Sequence, residues 1–157
     1  MIPTLCCNVL TALEGRTLVT AESLTGGGIG AALTAVPGSS AVYKGGIISY
    51  TNWVKSTVLG VPWETLESFG AVSEPVARAM AEGVRKLLQA DVSVAVTGLA
   101  GPGGDEFGNP VGTVFVACCN GAETRVEHCR FSGSREEIRS QTTQQALRLI
   151  LEMSDKE

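Results

Sequence analysis

Residues 17–35 read TLVTAESLTGGGIGAALTA, and this stretch indicates the class of fold. Thr17–Ala21 is a short apolar run with β-branched residues, which predicts a strand. Glu22–Ala35 has the composition of a helix, and we expect a helix there. Glycines at positions 26, 27, 28 and 30 oppose it, because each disfavours a helix by up to about 1 kcal/mol relative to alanine. Some requirement other than helix propensity therefore favours glycine in this segment.

Strands and helices alternate along the rest of the chain. Periodicity and capping signals predict helices at Thr4–Glu14, Asn52–Leu59 and Glu74–Gln89, and from the N-cap Ser134 to about Met153. Apolar and β-branched runs predict strands at Gly46–Tyr50, Val92–Thr97, Thr113–Cys118 and Thr124–Phe131. The last two strands flank Asn120-Gly121, a hairpin turn signal. Interleaved helices and strands with one antiparallel pair indicate an α/β fold with three α/β/α layers around a mixed sheet.

The composition excludes several classes of function. A chain of 157 residues without a repeat or a low-complexity tract is interpreted as one domain, residues 1–157. Its single histidine and five cysteines without a C-x-x-C spacing make a metal site unexpected. An odd number of unpatterned cysteines indicates reduced thiols and a cytoplasmic location. The isoelectric point near 5.1 argues against a nucleic-acid partner, and no apolar run approaches the ~20 residues of a membrane span.

The turn after the first strand is a candidate anion site. Ser23, Thr25 and Gly26 lie where the predicted strand enters the predicted helix. A helix start offers unpaired backbone N–H groups and the positive end of the helix dipole, which suit a phosphate or a carboxylate. Close packing of helix against strand explains the glycines equally well, and the residues alone leave both interpretations open.

A serine and a lysine form a second candidate site. Ser39 and Ser40 begin a short helical turn, where N–H groups can stabilise an oxyanion, and Lys55 follows with Tyr50 between them. With one histidine in the chain, lysine is the more accessible base for a serine nucleophile. That role requires Lys55 to be desolvated, because an ordinary lysine has a pKa of about 10.4. A helix-capping serine and a solvated surface lysine are the alternatives.

Two further segments can contribute to the same crevice. Thr97 ends a strand and enters the glycine- and proline-rich loop 98–110, and ligands of open α/β sheets bind at such strand ends. Arg135 and Arg139 occupy the first turns of the last helix, where the helix dipole disfavours cations. An anionic partner accounts for this placement, and an exposed arginine pair is the alternative.

Six motifs, occurring in the expected order, resemble those of the CinA C-terminal domain family. They are TAESLTGG at 20–27, PGSS at 37–40, GAVSEPV at 70–76, TGLAGP at 97–102, PVGTV at 110–114 and FSGSR at 131–135. The resemblance spans nearly the whole chain. It implies a mixed sheet of about five strands between helices, a homodimer, and in some members a larger molybdopterin-binding-like domain ahead of this one.

The resemblance also implies an activity. Members of this family are nicotinamide-nucleotide amidases, which convert nicotinamide mononucleotide to nicotinate mononucleotide and ammonia without metal or cofactor. By motif position, the nucleophile matches Ser40, the base Lys55 and an assisting hydroxyl Tyr50. Positions that contact the small phosphorylated substrate match Ala21, Glu22, Thr97, Arg135 and Arg139. A catalytically idle nucleotide-binding or regulatory domain and an amidase for another carboxamide are the alternatives.

Overall fold

A mixed sheet of five strands forms the centre of the structure, a computed structural model that describes residues 1–154. The strands are β1 (Leu18–Glu22), β2 (Tyr43–Ile48), β3 (Val92–Gly98), β4 (Thr113–Cys119) and β5 (Thr124–Arg130). Their order across the sheet is β2-β1-β3-β4-β5. β1 is parallel to both of its neighbours, whereas β4 is antiparallel to β3 and to β5. The predicted α/β fold with a mixed sheet of five strands is confirmed.

Six α-helices cover the two faces of the sheet. They are α1 (Ile2–Ala12), α2 (Gly28–Thr34), α3 (Asn52–Thr57), α4 (Trp63–Phe69), α5 (Glu74–Leu87) and α6 (Arg135–Ser154). One core cluster joins α1, α2 and α6 to one face, and a second joins α4 and α5 to the other. Successive residues of β1 alternate between these clusters, with Leu18 in the first and Val19 in the second. The central strands are therefore apolar on both faces, as expected for a sheet between two helical layers.

The glycine-rich turn shortens the second helix. The prediction of a helix from Glu22 is wrong, because β1 continues through Glu22 and α2 begins only at Gly28. Gly26 and Gly27 have φ angles of +58° and +100°, a left-handed conformation that glycine adopts at little cost. The glycines that oppose a helix at this position are those that the turn requires.

Two other elements differ from the prediction. β2 begins at Tyr43 rather than Gly46, and α4 was not predicted. A Cβ atom on Gly46 would collide with the side chain of Thr20 on β1, so this glycine lies inside the strand because the two strands approach closely. α4 has only seven residues, too few for a helical period to stand out in the sequence.

The predicted capping box of α6 and the predicted hairpin turn before β5 are confirmed. The Ser134 hydroxyl accepts a hydrogen bond from the Glu137 backbone N–H, and the Glu137 carboxylate accepts one from the Ser134 N–H, which is a capping box. A tight turn at Asn120-Gly121 joins β4 and β5. Within residues 1–154, no helix combines the length and the apolar composition needed to cross a bilayer.

Candidate active site

A cavity of about 330 Å³ opens at one edge of the sheet. Because β2, β1 and β3 are mutually parallel neighbours, their carboxyl ends meet at this edge. Ligands of open α/β sheets bind in this position. The polar side chains that line the cavity are Ser23, Tyr50, Asn52, Lys55, Thr97 and Arg135. Five of these six residues lie at or shortly after the carboxyl end of β1, β2 or β3, and Arg135 begins α6, so the sheet sets most of their relative positions.

Lys55 is the buried amine of this cavity. Its side chain is 1% exposed, and its Nζ donates hydrogen bonds to the Ser49 carbonyl at 2.8 Å and to the Ser23 hydroxyl at 3.2 Å. Burial lowers the pKa of Lys55 from 10.5 to about 8. Among residues 1–154, no carboxylate lies within ion-pairing distance of this ammonium group. The desolvation that a lysine base requires is present.

Ser23 presents its hydroxyl to this lysine. It follows β1 directly, is 7% exposed, and its backbone N–H donates to the Val96 carbonyl at 3.2 Å. Its own carbonyl accepts from the Gly26 N–H at 3.0 Å, which closes the turn. The 3.2 Å between Ser23 Oγ and Lys55 Nζ is within the range expected of a serine nucleophile and its base. Ser23 and Lys55 therefore form a buried pair that opens onto the cavity.

Tyr50 and Arg135 form the rim. Tyr50 is 57% exposed, and its hydroxyl accepts a hydrogen bond from Arg135 at 3.2 Å. Arg135 also donates to the Gly101 carbonyl in the loop after β3. Thr97, at the cavity floor, donates through its hydroxyl to the Ala71 carbonyl at 2.8 Å. The structure thus brings five of the predicted residues to one cavity: Ser23, Tyr50, Lys55, Thr97 and Arg135.

Glu22 occupies the anion position predicted for a ligand. Its carboxylate is 2% exposed and accepts hydrogen bonds from the N–H groups of Ile29 and Gly30 at 2.8 and 2.9 Å. It also accepts from the Thr25 hydroxyl at 2.7 Å. The start of α2 therefore binds a carboxylate of the protein itself. This arrangement corrects the substrate-contact predictions for Glu22 and Thr25, whose side chains are buried behind the turn.

Arg139, Gly26 and Ala21 do not line the cavity either. Arg139 donates to the backbone carbonyls of Leu24 and Thr25 at 3.0 and 3.1 Å, so its guanidinium is bound to the turn. Gly26 serves the turn through its positive φ angle, and Ala21 is fully buried in the core cluster beside α5. For these three positions the predicted substrate contact is replaced by a contact within the protein.

Ser40 is far from Lys55. It lies in a 3-10 turn, Ser39–Ala41, before β2, whereas Lys55 follows the other end of β2. Six residues of strand span roughly 20 Å, beyond the reach of any serine–lysine contact. Ser40 is exposed, and its carbonyl accepts from the Lys44 ammonium. Within one chain the structure separates Ser40 from Lys55, which corrects their predicted pairing, and the serine in contact with Lys55 is Ser23.

The role of Ser23 beside a base was missed, although a signal for it exists. The predicted strands β1 and β2 belong to a region with helical crossovers, where neighbouring strands are parallel. Residues directly after each strand then meet at one edge. Ser23 follows β1 and Lys55 follows β2, whereas Ser40 precedes β2.

Comparison with known proteins identifies relatives that share the name CinA. The sequence profile of the CinA C-terminal domain matches residues 5–154. A CinA-like protein of Parasynechococcus marenigrum is 56% identical over 131 residues, which are 81% of this chain and 31% of that protein. A CinA-like protein of Gloeobacter violaceus is 47% identical over 143 residues, covering 90% of this chain and 34% of that protein. The chain spans about a third of the length of these relatives.

Solved structures match over their whole length. A CinA superfamily protein from Klebsiella pneumoniae superposes with a TM-score of 0.96 at 36% identity, covering 99% of this chain and 98% of that one. The competence/damage inducible protein CihA from Agrobacterium tumefaciens gives a TM-score of 0.94 at 41% identity, with 97% and 94% coverage. At these identities the similarity concerns sequence as well as fold.

Proposed function

Because the chain belongs to the CinA C-terminal domain family, we propose that it is an amidohydrolase that deamidates nicotinamide mononucleotide. The products are nicotinate mononucleotide and ammonia. The nucleophile of this proposal is Ser23, the base is Lys55, and Tyr50 and Arg135 bind the substrate at the rim.

One observation carries the proposal: Lys55 Nζ lies 3.2 Å from Ser23 Oγ in a buried pair at the cavity. A serine hydroxyl is a weak nucleophile unless a neighbouring base accepts its proton. With a pKa of about 8, roughly a quarter of the Lys55 side chains are neutral at pH 7.5. An ordinary lysine is neutral in only about 1 molecule in 1,000 at that pH. Burial therefore makes lysine an effective base near neutral pH.

The reaction proceeds in two halves. Ser23 Oγ attacks the carboxamide carbon while neutral Lys55 accepts the hydroxyl proton, which gives a tetrahedral intermediate. The carbon–nitrogen bond then breaks, the departing nitrogen takes the proton from the Lys55 ammonium, and an ester with Ser23 remains. Lys55 next removes a proton from water, which attacks the ester carbon. Collapse of this second intermediate returns the proton to Ser23 and releases the carboxylate.

Arg135 is the group that binds the substrate phosphate in this proposal. It lines the cavity as a cation, and its two observed bonds to Tyr50 and Gly101 hold it at the rim. An arginine in this position suits a phosphate through charge-assisted hydrogen bonds. A second copy of the chain and a cytoplasmic setting complete the proposal. The first follows from the family resemblance, and the second from the five free cysteines.

Ammonia release from three amides tests the proposal. The wild-type protein is expected to act on nicotinamide mononucleotide and to leave nicotinamide and glutamine essentially unchanged, because only the first carries a phosphate. Activity on another carboxamide alone would replace the proposed substrate, and activity on none would indicate an idle binding domain. Lys55→Met should lower the rate by at least about 10²-fold. Lys86→Met, at an exposed lysine of α5, is the matched control and should retain the wild-type rate.

A further inference from the structure

The turn that carries Ser23 is held by a residue distant in sequence. Arg139, on α6, donates from Nε to the Leu24 carbonyl at 3.0 Å and from a terminal nitrogen to the Thr25 carbonyl at 3.1 Å. These two carbonyls belong to the residues that directly follow Ser23. From the inner side, the Thr25 hydroxyl donates to the buried Glu22 carboxylate. The turn is thus fixed on both sides by charge-assisted hydrogen bonds.

These bonds set the direction of two backbone N–H groups. In a trans peptide the C=O and the following N–H point in opposite directions. The Leu24 carbonyl faces Arg139, so the Thr25 N–H points away from Arg139. Likewise, the Ser23 carbonyl faces the Gly26 N–H inside the turn, so the Leu24 N–H points away from the turn's interior.

Neither N–H group has an acceptor. Among residues 1–154, the backbone nitrogens of Leu24 and Thr25 donate no hydrogen bond, although both residues are buried. Buried backbone donors are nearly always paired, so two unpaired donors in succession indicate a site that receives an acceptor from outside the protein. Leu24 lines the cavity beside Ser23, whereas Thr25 and Arg139 do not. An acceptor in the cavity would therefore meet the Leu24 N–H.

We infer that the Leu24 N–H binds the carbonyl oxygen of the substrate amide as it becomes an oxyanion, and that Arg139 is the positioning residue that fixes the turn from which this N–H projects. This inference rests on the proposed function, since it takes Ser23 as the nucleophile. It also assigns different roles to the two arginines of α6. Arg135 lines the cavity and binds substrate, whereas Arg139 acts through the turn.

The step balances in bonds and electrons. As Ser23 Oγ forms its bond to the amide carbon, the π electron pair of the C=O moves to oxygen, and the Ser23 proton moves to Lys55. The Leu24 N–H binds the resulting O⁻. When the electron pair returns to form the ester C=O, the carbon–nitrogen bond breaks and ammonia leaves with the proton from Lys55. Donors placed for the charged oxygen lower the barrier without tightening ground-state binding.

Steady-state kinetics separate the two roles. For Arg139→Met we expect kcat to fall about 10- to 100-fold with KM within about threefold of wild type, because the oxyanion donor loses its orientation. Arg139→Lys should recover part of the loss, since its ammonium can still donate to one carbonyl. For Arg135→Met we expect KM to rise about tenfold or more with a smaller change in kcat. Arg130→Met, at an exposed arginine of β5, should match wild type.

A second readout does not depend on the natural substrate. An alkyl fluorophosphonate loses fluoride to a serine nucleophile, and its P=O oxygen occupies the oxyanion position. Arg139→Met should phosphonylate Ser23 about tenfold or more slowly than Arg135→Met does, at equal melting temperature. If the wild-type protein does not deamidate the nucleotide, but Arg139→Met is still labelled more slowly than Arg135→Met, this inference stands and the proposed substrate is wrong. A rise in KM alone for Arg139→Met, with unchanged labelling, would overturn the inference and make Arg139 a substrate contact.

Discussion

The Glu22 carboxylate lies 2.7 Å from the Thr25 hydroxyl, so a buried acid of β1 binds the turn that follows its own strand. The same carboxylate accepts from the N–H groups of Ile29 and Gly30 and from the Thr20 hydroxyl. Both of its oxygens therefore accept two hydrogen bonds each. The first strand, the turn and α2 are joined through this one side chain.

Glu22→Gln is expected to destabilise the protein by about 2–3 kcal/mol. The glutamine NH₂ group would face donors that now meet a carboxylate oxygen, which leaves buried N–H or O–H groups unpaired. Urea unfolding measures the change in the free energy of unfolding. Glu14→Gln, at an exposed glutamate after α1, is the matched control and should change it by less than about 0.5 kcal/mol. Equal stabilities of the two variants would contradict the structural role of Glu22.

The pH dependence of the reaction follows from Lys55. Only the neutral amine accepts the Ser23 proton, and burial lowers its pKa to about 8. We therefore expect kcat/KM to rise about tenfold per pH unit below pH 7.5 and to level off above about pH 8.5. Initial rates of ammonia release between pH 6 and pH 9.5 test this. A rate still rising tenfold per unit at pH 9.5 would show that Lys55 titrates as an ordinary surface lysine.

The same shift predicts how stability depends on pH. Between pH 8 and 10.5 the unfolded chain binds more protons at Lys55 than the folded protein does, so the free energy of unfolding rises with pH. From pH 7.5 to 9.5 this contribution amounts to about 2 kcal/mol. Burial of Tyr43 and Cys118 raises the pKa of both groups. At high pH these two groups therefore lower the free energy of unfolding as the pH rises.

Comparison with Lys55→Met isolates the lysine. Both proteins contain the same tyrosines and cysteines, so the difference between their urea-unfolding free energies cancels those contributions. Wild type should gain about 2 kcal/mol relative to Lys55→Met over pH 7.5–9.5. A constant difference across this range would mean that the folded state does not shift the pKa of Lys55.

The sequence predicted the layers well and the turns less well. β3, α5 and α6 were predicted nearly to their ends, because β3 is a β-branched run, α5 carries an apolar stripe and α6 opens with a capping box. The glycine turn was predicted as helix, because composition does not reveal that Gly26 and Gly27 need positive φ angles. The conformation of this turn also depends on a partner distant in sequence, Arg139, whose bonds to the Leu24 and Thr25 carbonyls no local pattern shows.

The candidate site was predicted in part. Lys55 was identified together with the condition that it be desolvated, and its burial meets that condition. Its serine partner was misplaced, because sequence spacing made Ser40 a neighbour of Lys55 along the chain. In the folded protein, which serine contacts Lys55 depends on the end of β2 near which that serine lies. The parallel pairing of β1 with β2 places Ser23 at the end near Lys55.

The most direct test of this account is ammonia release from nicotinamide mononucleotide by Ser23→Ala and Ser40→Ala, measured side by side at pH 8. We expect kcat to fall at least about 10³-fold in Ser23→Ala and to stay within about twofold of wild type in Ser40→Ala. Retained activity in Ser23→Ala together with loss in Ser40→Ala would contradict the assignment of Ser23 as the nucleophile paired with Lys55.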